Sequence, residues 1–254
     1  MNHIIVRETS AEIRSIARNA LRDSWLKVTV GVIVYYVLSS TVPNLLNALI
    51  PGTVISYYNE LLEQSIGFSY VSSLYELLLS GALSVGFSSF SLAFFRRKDI
   101  NPGYVFNGFE VFFKSLALLV ITSLFIFLWS LLFLIPGIVA ALRYSQAFYI
   151  LADEPSKSVM ECFNGTKYYM SGNKGKLFCL NLSFIGWGIL ALLPALFLPL
   201  FSGVLGVFVD LLYAIPWFFF LTYMYTSQTV FYDLISGNLV ARSESEFDES
   251  GYHF

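Results

Sequence analysis

Long runs without charge restrict what this chain can fold into more than any other feature. No charged residue occurs between Lys27 and Glu60, from Leu77 to Phe95, or from Ser115 to Leu142, and between Leu177 and Tyr232 the only charge is Asp210. A helix needs about 20 apolar residues to cross roughly 30 Å of hydrocarbon, so each run is long enough for one crossing or two. A water-soluble reading would need polar surface, and here composition decides. Of the 254 residues 13% are charged and 56% hydrophobic, whereas a soluble domain carries about 25% charged residues. A strand-built barrel would need short segments that alternate apolar and polar residues. Leu131-Leu132-Phe133-Leu134-Ile135 does not alternate, and a helix satisfies its own backbone hydrogen bonds in lipid. The expected fold is all-α and polytopic.

The runs and their punctuation predict about six transmembrane helices, at about 28–49, 77–95, 114–135, 138–152, 177–198 and 205–233. Pro136-Gly137 reads as the turn between the third and fourth, and Pro199, Ser202 and Gly203 split the fifth from the sixth. Residues 1–240 then form one transmembrane domain, and 241–254, with Glu244, Glu246, Asp248 and Glu249, read as a disordered acidic tail. Arg7, Arg14, Arg18, Arg22 and Lys27 precede the first run with no apolar h-region among them, so no cleavable signal peptide is expected. With both termini inside, the inner segments hold 14 of the 15 Lys and Arg residues, Arg143 being the exception. The outer segments hold none, which fits the positive-inside rule and a plasma membrane with cytoplasmic termini.

Amphipathic stretches recur on the expected inner side. Thr9-Ser10-Ala11-Glu12 reads as a capping box. Ile13, Ile16, Ala17, Ala20 and Leu21 then recur at helical spacing, with Arg14, Arg18 and Arg22 four apart on another face. Such a helix over 8–24 is expected to lie on the inner leaflet with its arginines among the headgroups. Asn101 to Lys114 and Ser156 to Gly172 are similar, and each precedes a pair of spans. Three units of surface helix plus hairpin are therefore one reading of the order, supported in sequence by Phe106-Asn107-Gly108 and Phe163-Asn164-Gly165.

Site chemistry is sparse. His3 and His253 are the only histidines, Cys162 and Cys179 read as two inert thiols, and no ligands stand at metal spacing. No nucleophile elbow, zinc-protease helix or phosphate-binding glycine loop occurs, and a net charge of −2 gives no nucleic-acid surface. No catalytic residue, metal or cofactor is assigned. Two charges remain inside the spans. Arg143 and Asp210 each fall about five residues from an outer span edge, roughly 8 Å deep, and Gln146 follows Arg143 on the same expected face. They read either as a polar binding site that opens outward or as an ion pair that pins two helices. Span 2 carries Ser80, Ser84 and Ser88 with Ala82 and Gly86, a small-residue pattern that places it at the centre of the bundle.

Two strings carry a resemblance. One runs Leu128-Trp129-Ser130-Leu131-Leu132-Phe133-Leu134-Ile135-Pro136-Gly137-Ile138 and continues through Arg143-Tyr144-Ser145-Gln146-Ala147-Phe148-Tyr149-Ile150-Leu151-Ala152-Asp153-Glu154-Pro155. The other holds Met170, Gly172, Lys174, Lys176-Leu177-Phe178 and Leu182-Ser183-Phe184-Ile185-Gly186-Trp187. Together they resemble a family of bacterial, Firmicutes-type integral membrane proteins, domain of unknown function nine hundred seventy-five. Glu154 departs from the family's usual Asn. The resemblance implies a polytopic bacterial membrane protein and supplies no reaction. Two functions stay open. The first is non-enzymatic binding or movement of a lipid or amphipathic peptide, with membrane lipids as partners. The second is a structural or regulatory part of an export or immunity complex, with another membrane protein as partner. An intramembrane enzyme is a distant third.

Overall fold

The computed structural model describes residues 4–50, 54–59, 64–193 and 204–239, with backbone alone for 54, 56–59, 64–68 and 204–213. The chain is helical from end to end of its bundle. Five helical stretches among the described residues are long and apolar enough to cross a membrane: Trp25–Leu49, Tyr70–Arg97, Pro102–Leu132, Leu134–Asp153 and Lys174–Leu192. A sixth helix, α11 (Val204–Ser236), is 33 residues long with Pro216 inside it. The all-α polytopic expectation therefore holds.

Boundaries differ where local chemistry breaks a span. The first crossing is α2 (Trp25–Tyr36), a π-helical turn at Val37–Thr41 and α3 (Val42–Leu49). The segment between α3 and the next long helix, given no structure by the sequence pattern, holds β1 (Val54–Asn59) paired antiparallel with β2 (Gln64–Ser69), Val54 opposite Ser69. Then α4 runs from Tyr70 to Arg97. The turn after α5 (Phe112–Leu132) falls at Phe133, which is fully extended, not at Pro136-Gly137. Pro136 lies instead in the first turn of α6 (Leu134–Tyr144), where its missing N–H costs nothing. The fourth crossing breaks again at Ser145-Gln146 before α7 (Ala147–Asp153). The fifth is α9 (Lys174–Leu182) and α10 (Ile185–Leu192), split at Ser183-Phe184. The segment that joins it to the sixth crossing, and the acidic tail at 241–254, fall outside the described residues.

The three amphipathic stretches become α1 (Ser10–Leu21), a 3-10 helix (Pro102–Val111) and α8 (Val159–Tyr169). Thr9 and Glu12 cap α1 reciprocally, as the sequence predicts; Ser158 and Glu161 do the same for α8, so that helix starts after Ser158 and not at Ser156. Their packing shows what the apolar faces meet. Ile13, Ile16, Ala17, Ala20 and Leu21 are all buried, against α11 and α9. The apolar face of α1 meets protein, and amphipathic spacing in a sequence cannot distinguish that cover from lipid. Likewise the 3-10 helix folds back along α4, and α8 along α7. Each amphipathic stretch thus packs on the second helix of a hairpin, with α1 closing the circuit on the last one.

Small residues make this close. A Cβ on Gly108 would overlap the Ala82 carbonyl of α4, and one on Gly86 would overlap the Val105 carbonyl of the 3-10 helix. Gly81 meets the Ser115 backbone of α5 in the same way. Accordingly 67% of α4's most apolar stretch is buried inside the protein, against 17% for the span containing α5, which makes α4 the central helix. Gly165 of the second Phe-Asn-Gly string sits against Ile150 of α7. At the N-terminus, the fully buried Asn173 pins the chain before α1: its Oδ1 accepts from the Val6 N–H at 2.9 Å and its Nδ2 donates to the Ile4 carbonyl at 2.8 Å.

Candidate functional site

Arg143 and Gln146 part company. The helix breaks between them, which resets the face each presents. Arg143 is exposed near the end of α6, while Gln146 is buried, with its Nε2 donating to Ser145 Oγ at 3.0 Å and its Oε1 unpaired. The break also frees the Arg143 carbonyl, which the buried Thr166 hydroxyl of α8 fills at 3.0 Å. Because the turn comes at Phe133, Arg143 lies deeper along its helix than the sequence places it. Its charged neighbours are Lys167 of α8 and Lys174 of α9. The Asp210 side chain lies outside the described residues, and so does the question of a pair with Arg143.

The arginines of α1 divide as well. Arg14 is half-buried: its Nη1 donates to the Ser183 carbonyl at 3.1 Å, and its guanidinium stands 5.8 Å over the Phe184 ring. Arg18 and Arg22 are exposed. Beside them opens an apolar groove of about 360 Å³ between α2, α10 and α11, walled by Trp25, Trp187, Leu190, Phe219, Phe220 and Tyr223. Tyr223 joins the two features, since its hydroxyl donates to the Arg14 carbonyl at 3.2 Å and lies within electrostatic reach of Arg18. Pro216, also in the wall, interrupts the α11 hydrogen-bond ladder there.

Sequence reasoning missed the best-connected polar cluster. Arg96 near the end of α4 bonds Asp153 at the end of α7 (Nη1 to Oδ1, 2.5 Å) and Asp233 near the end of α11 (Nη2 to Oδ1, 2.6 Å; Nε to Oδ1, 3.0 Å). The Tyr232 hydroxyl donates to Asp153 Oδ2 at 3.0 Å. The Asp233 side chain is 2% exposed, those of Asp153 and Arg96 20% and 29%. Guanidinium with two carboxylates is a charge-assisted tie, and it joins the second helix of every hairpin. A signal existed: each of the three charges ends the second apolar run of its unit, and Gly108 follows Arg96 at the interval at which Gly165 follows Asp153. A polar cavity of about 290 Å³ adjoins the tie, lined in part by Ser89, Arg97, Tyr104 and Asn107.

The remaining candidates do little chemistry. Burial pushes the Cys162 thiol up to about 11, so it stays protonated and unreactive at neutral pH. Among the described residues no three His, Cys, Asp or Glu side chains gather as metal ligands.

Comparison with curated proteins and with solved structures found no match. One family model does match, in two overlapping stretches, residues 1–142 and 130–239. Its description is a protein of unknown function, DUF975, and the overlap of the two stretches falls on the α5–α6 hairpin. Together they span nearly all of the described bundle, and the chain belongs to the DUF975 family.

Proposed function

We propose that this is a non-enzymatic, multi-pass plasma-membrane protein of a bacterium that binds a lipid or amphipathic peptide and helps it move. The observation that carries the reading is the aromatic-walled groove at Trp187 and Phe219, open beside Arg14 and Arg18. Apolar walls suit an acyl chain or an apolar peptide face, and adjacent arginines suit its anionic end. Cytoplasmic termini follow from the distribution of Lys and Arg along the sequence. The competing role, a structural or regulatory partner of a membrane complex, would draw support from an open small-residue face on α4. Gly81, Ala82 and Gly86 of that face are covered by α5 and the 3-10 helix, which favours the ligand-binding reading.

The test is purification in mild detergent, with co-purifying lipids and proteins identified by mass spectrometry. A lipid class enriched over the bulk membrane, and lost on combining Trp187→Ala with Phe219→Ala, supports the proposal. A stoichiometric protein partner without lipid enrichment replaces it by the second role. Accessibility of engineered cysteines tests orientation separately: a probe at Ser245 that labels from outside the cell overturns the cytoplasmic termini.

A further inference from the structure

A second amphiphilic feature stands apart from the groove, on α6. Ile135, Val139 and Arg143 recur every fourth residue, so they lie on one helix face. With Trp129, Ala140 and Lys174 they line a cavity of about 250 Å³ between α5, α6 and the start of α9. From Ile135 to Arg143 the stripe is about 12 Å long at 1.5 Å per residue. It runs from the exposed tip of the hairpin to a cluster of cations. Lys167 completes that cluster: it sits on the residue after Thr166, which holds the Arg143 carbonyl, and its Nζ stands 3.9 Å over the Phe163 ring.

The cluster is electrostatically open. Among the described residues none of the three cations takes part in an ion pair; the pairs join Arg96 to Asp153 and Asp233, and Lys157 to Glu154. Burial, and then repulsion from Arg143, hold the Lys167 ammonium below its usual range. Assembling like charges at the edge of an apolar stripe costs free energy unless an anion joins them. The apolar stripe says what kind of anion: one carried on a hydrocarbon chain.

We propose that Arg143, Lys167 and Lys174 bind the phosphate of an anionic phospholipid whose acyl chain lies along Ile135, Val139 and Trp129. The site names the ligand class for the functional reading above, though it rests on different residues from the groove. The guanidinium offers paired N–H donors to phosphate oxygens and the two ammonium groups add point charges.

The experiment titrates the full chain in mild detergent with short-chain phosphatidylglycerol, short-chain phosphatidylcholine, or inorganic phosphate, and follows the midpoint of thermal unfolding. Phosphatidylglycerol should raise the midpoint saturably, and the other two should not. Combining Arg143→Gln with Lys174→Gln should weaken the apparent affinity about fivefold for each cation removed, while Lys176→Gln leaves it unchanged. The variant's midpoint without lipid and its elution on size exclusion report whether it is folded. An equal response to phosphatidylcholine overturns the proposal, as does an unweakened response in the double variant. A saturable response to inorganic phosphate alone, lost in the double variant, makes this a free-phosphate site and overturns the lipid. If Trp187→Ala with Phe219→Ala abolishes the response and the double variant keeps it, the lipid sits in the other groove. That result overturns this proposal and leaves the functional reading standing.

Discussion

Two clusters of basic residues behave in opposite ways. At the ends of α4, α7 and α11, Arg96 is held by two carboxylates and a tyrosine supports one of them. Beside the α6–α7 break, Arg143, Lys167 and Lys174 gather with no acid among the described residues bound to them. Sequence alone ranks them the other way round. Arg143 stands out as a lone charge inside an apolar run, while Arg96 looks like one of three cations that merely stop a span. The difference teaches where to look for ligand chemistry in a charge-poor membrane protein. A charge neutralised by its own chain is part of the architecture, and a charge left without a counterion has its partner elsewhere.

The comparison is most easily broken at the tie. Asp233→Asn leaves Arg96 with Asp153 alone, at a position where the carboxylate is 2% exposed. Removing one member of a buried pair typically costs about 3–5 kcal/mol. The expected result is a large fall in the midpoint of unfolding in detergent, with Asp153→Asn costing less because its carboxylate is 20% exposed. A loss below about 1 kcal/mol for Asp233→Asn would show that the tie is no more structural than a surface pair. Next in size is Gly108→Ala. The added methyl would meet the Ala82 carbonyl of α4, which is backbone and cannot swing aside. Overpacking of this kind costs about 1–3 kcal/mol. Gly175→Ala is the control, since open space surrounds that position in α9, and alanine there should stabilise by about 0.5–1 kcal/mol. Equal effects at the two glycines would mean that the 3-10 helix does not lock against α4.

Smaller again is Ser158→Ala, which removes the cap of α8, the helix that carries Lys167. The expected cost is about 1 kcal/mol. It should also depend on pH. The Ser158 backbone N–H, donating to Glu161 at 2.7 Å, and then the Ser158 side chain hold the Glu161 carboxyl below its usual range. A carboxyl depressed in the folded state adds stability above its unfolded pKa, and that stability is lost as pH falls through the folded value. Ser158→Ala keeps the backbone donor and loses only the hydroxyl, so the gap between wild type and variant should narrow on acidification without closing. Parallel unfolding curves at every pH would mean that the hydroxyl does not hold the carboxylate.

How legible was all this in the sequence? The all-helical class was, with five helices of crossing length among the described residues, because charge-free length is a direct consequence of hydrocarbon thickness. The helix start at Thr9 was, because a capping box is local chemistry, whereas the Ser158–Glu161 box of α8 went unread beside the stronger signal of Pro155. The turn at Phe133 was not: Pro136-Gly137 carries the stronger turn signal, yet proline also fits a first helical turn and Gly137 is spent on a close approach to Ser130. That three-residue displacement puts Arg143 farther from the turn than the sequence pattern does. The break at Ser145-Gln146 then separated two residues that a continuous helix would have kept on one face. The Arg96 tie left only a partial trace: each of its charges ends the second apolar run of a unit, but nothing in the sequence pairs them. Its members lie far apart in the chain, and only the circular packing of the three hairpins brings their ends together.

The smallest expected effect is the most informative about Arg143. In a charge-poor protein, deleting an intramembrane arginine would ordinarily be a severe change, because such charges are buried against partners. Here the guanidinium is exposed and its charged neighbours Lys167 and Lys174 carry the same sign. Arg143→Gln keeps the length and polarity of the side chain and removes one repulsive charge. Without added lipid it should change stability by no more than about 0.5 kcal/mol in either direction, the range of ordinary exposed substitutions. Thermal unfolding of the lipid-stripped protein in uncharged detergent reads this directly. A loss of about 3 kcal/mol or more would mean that Arg143 has a buried acidic partner after all. Asp210 is then the residue to remove next: if Arg143→Met restores what Asp210→Leu loses, the two form the ion pair that the sequence offered as one reading, and the contrast between the clusters disappears. If Arg143→Gln is silent, Arg143 keeps its role as a cation whose counterion comes from outside the chain.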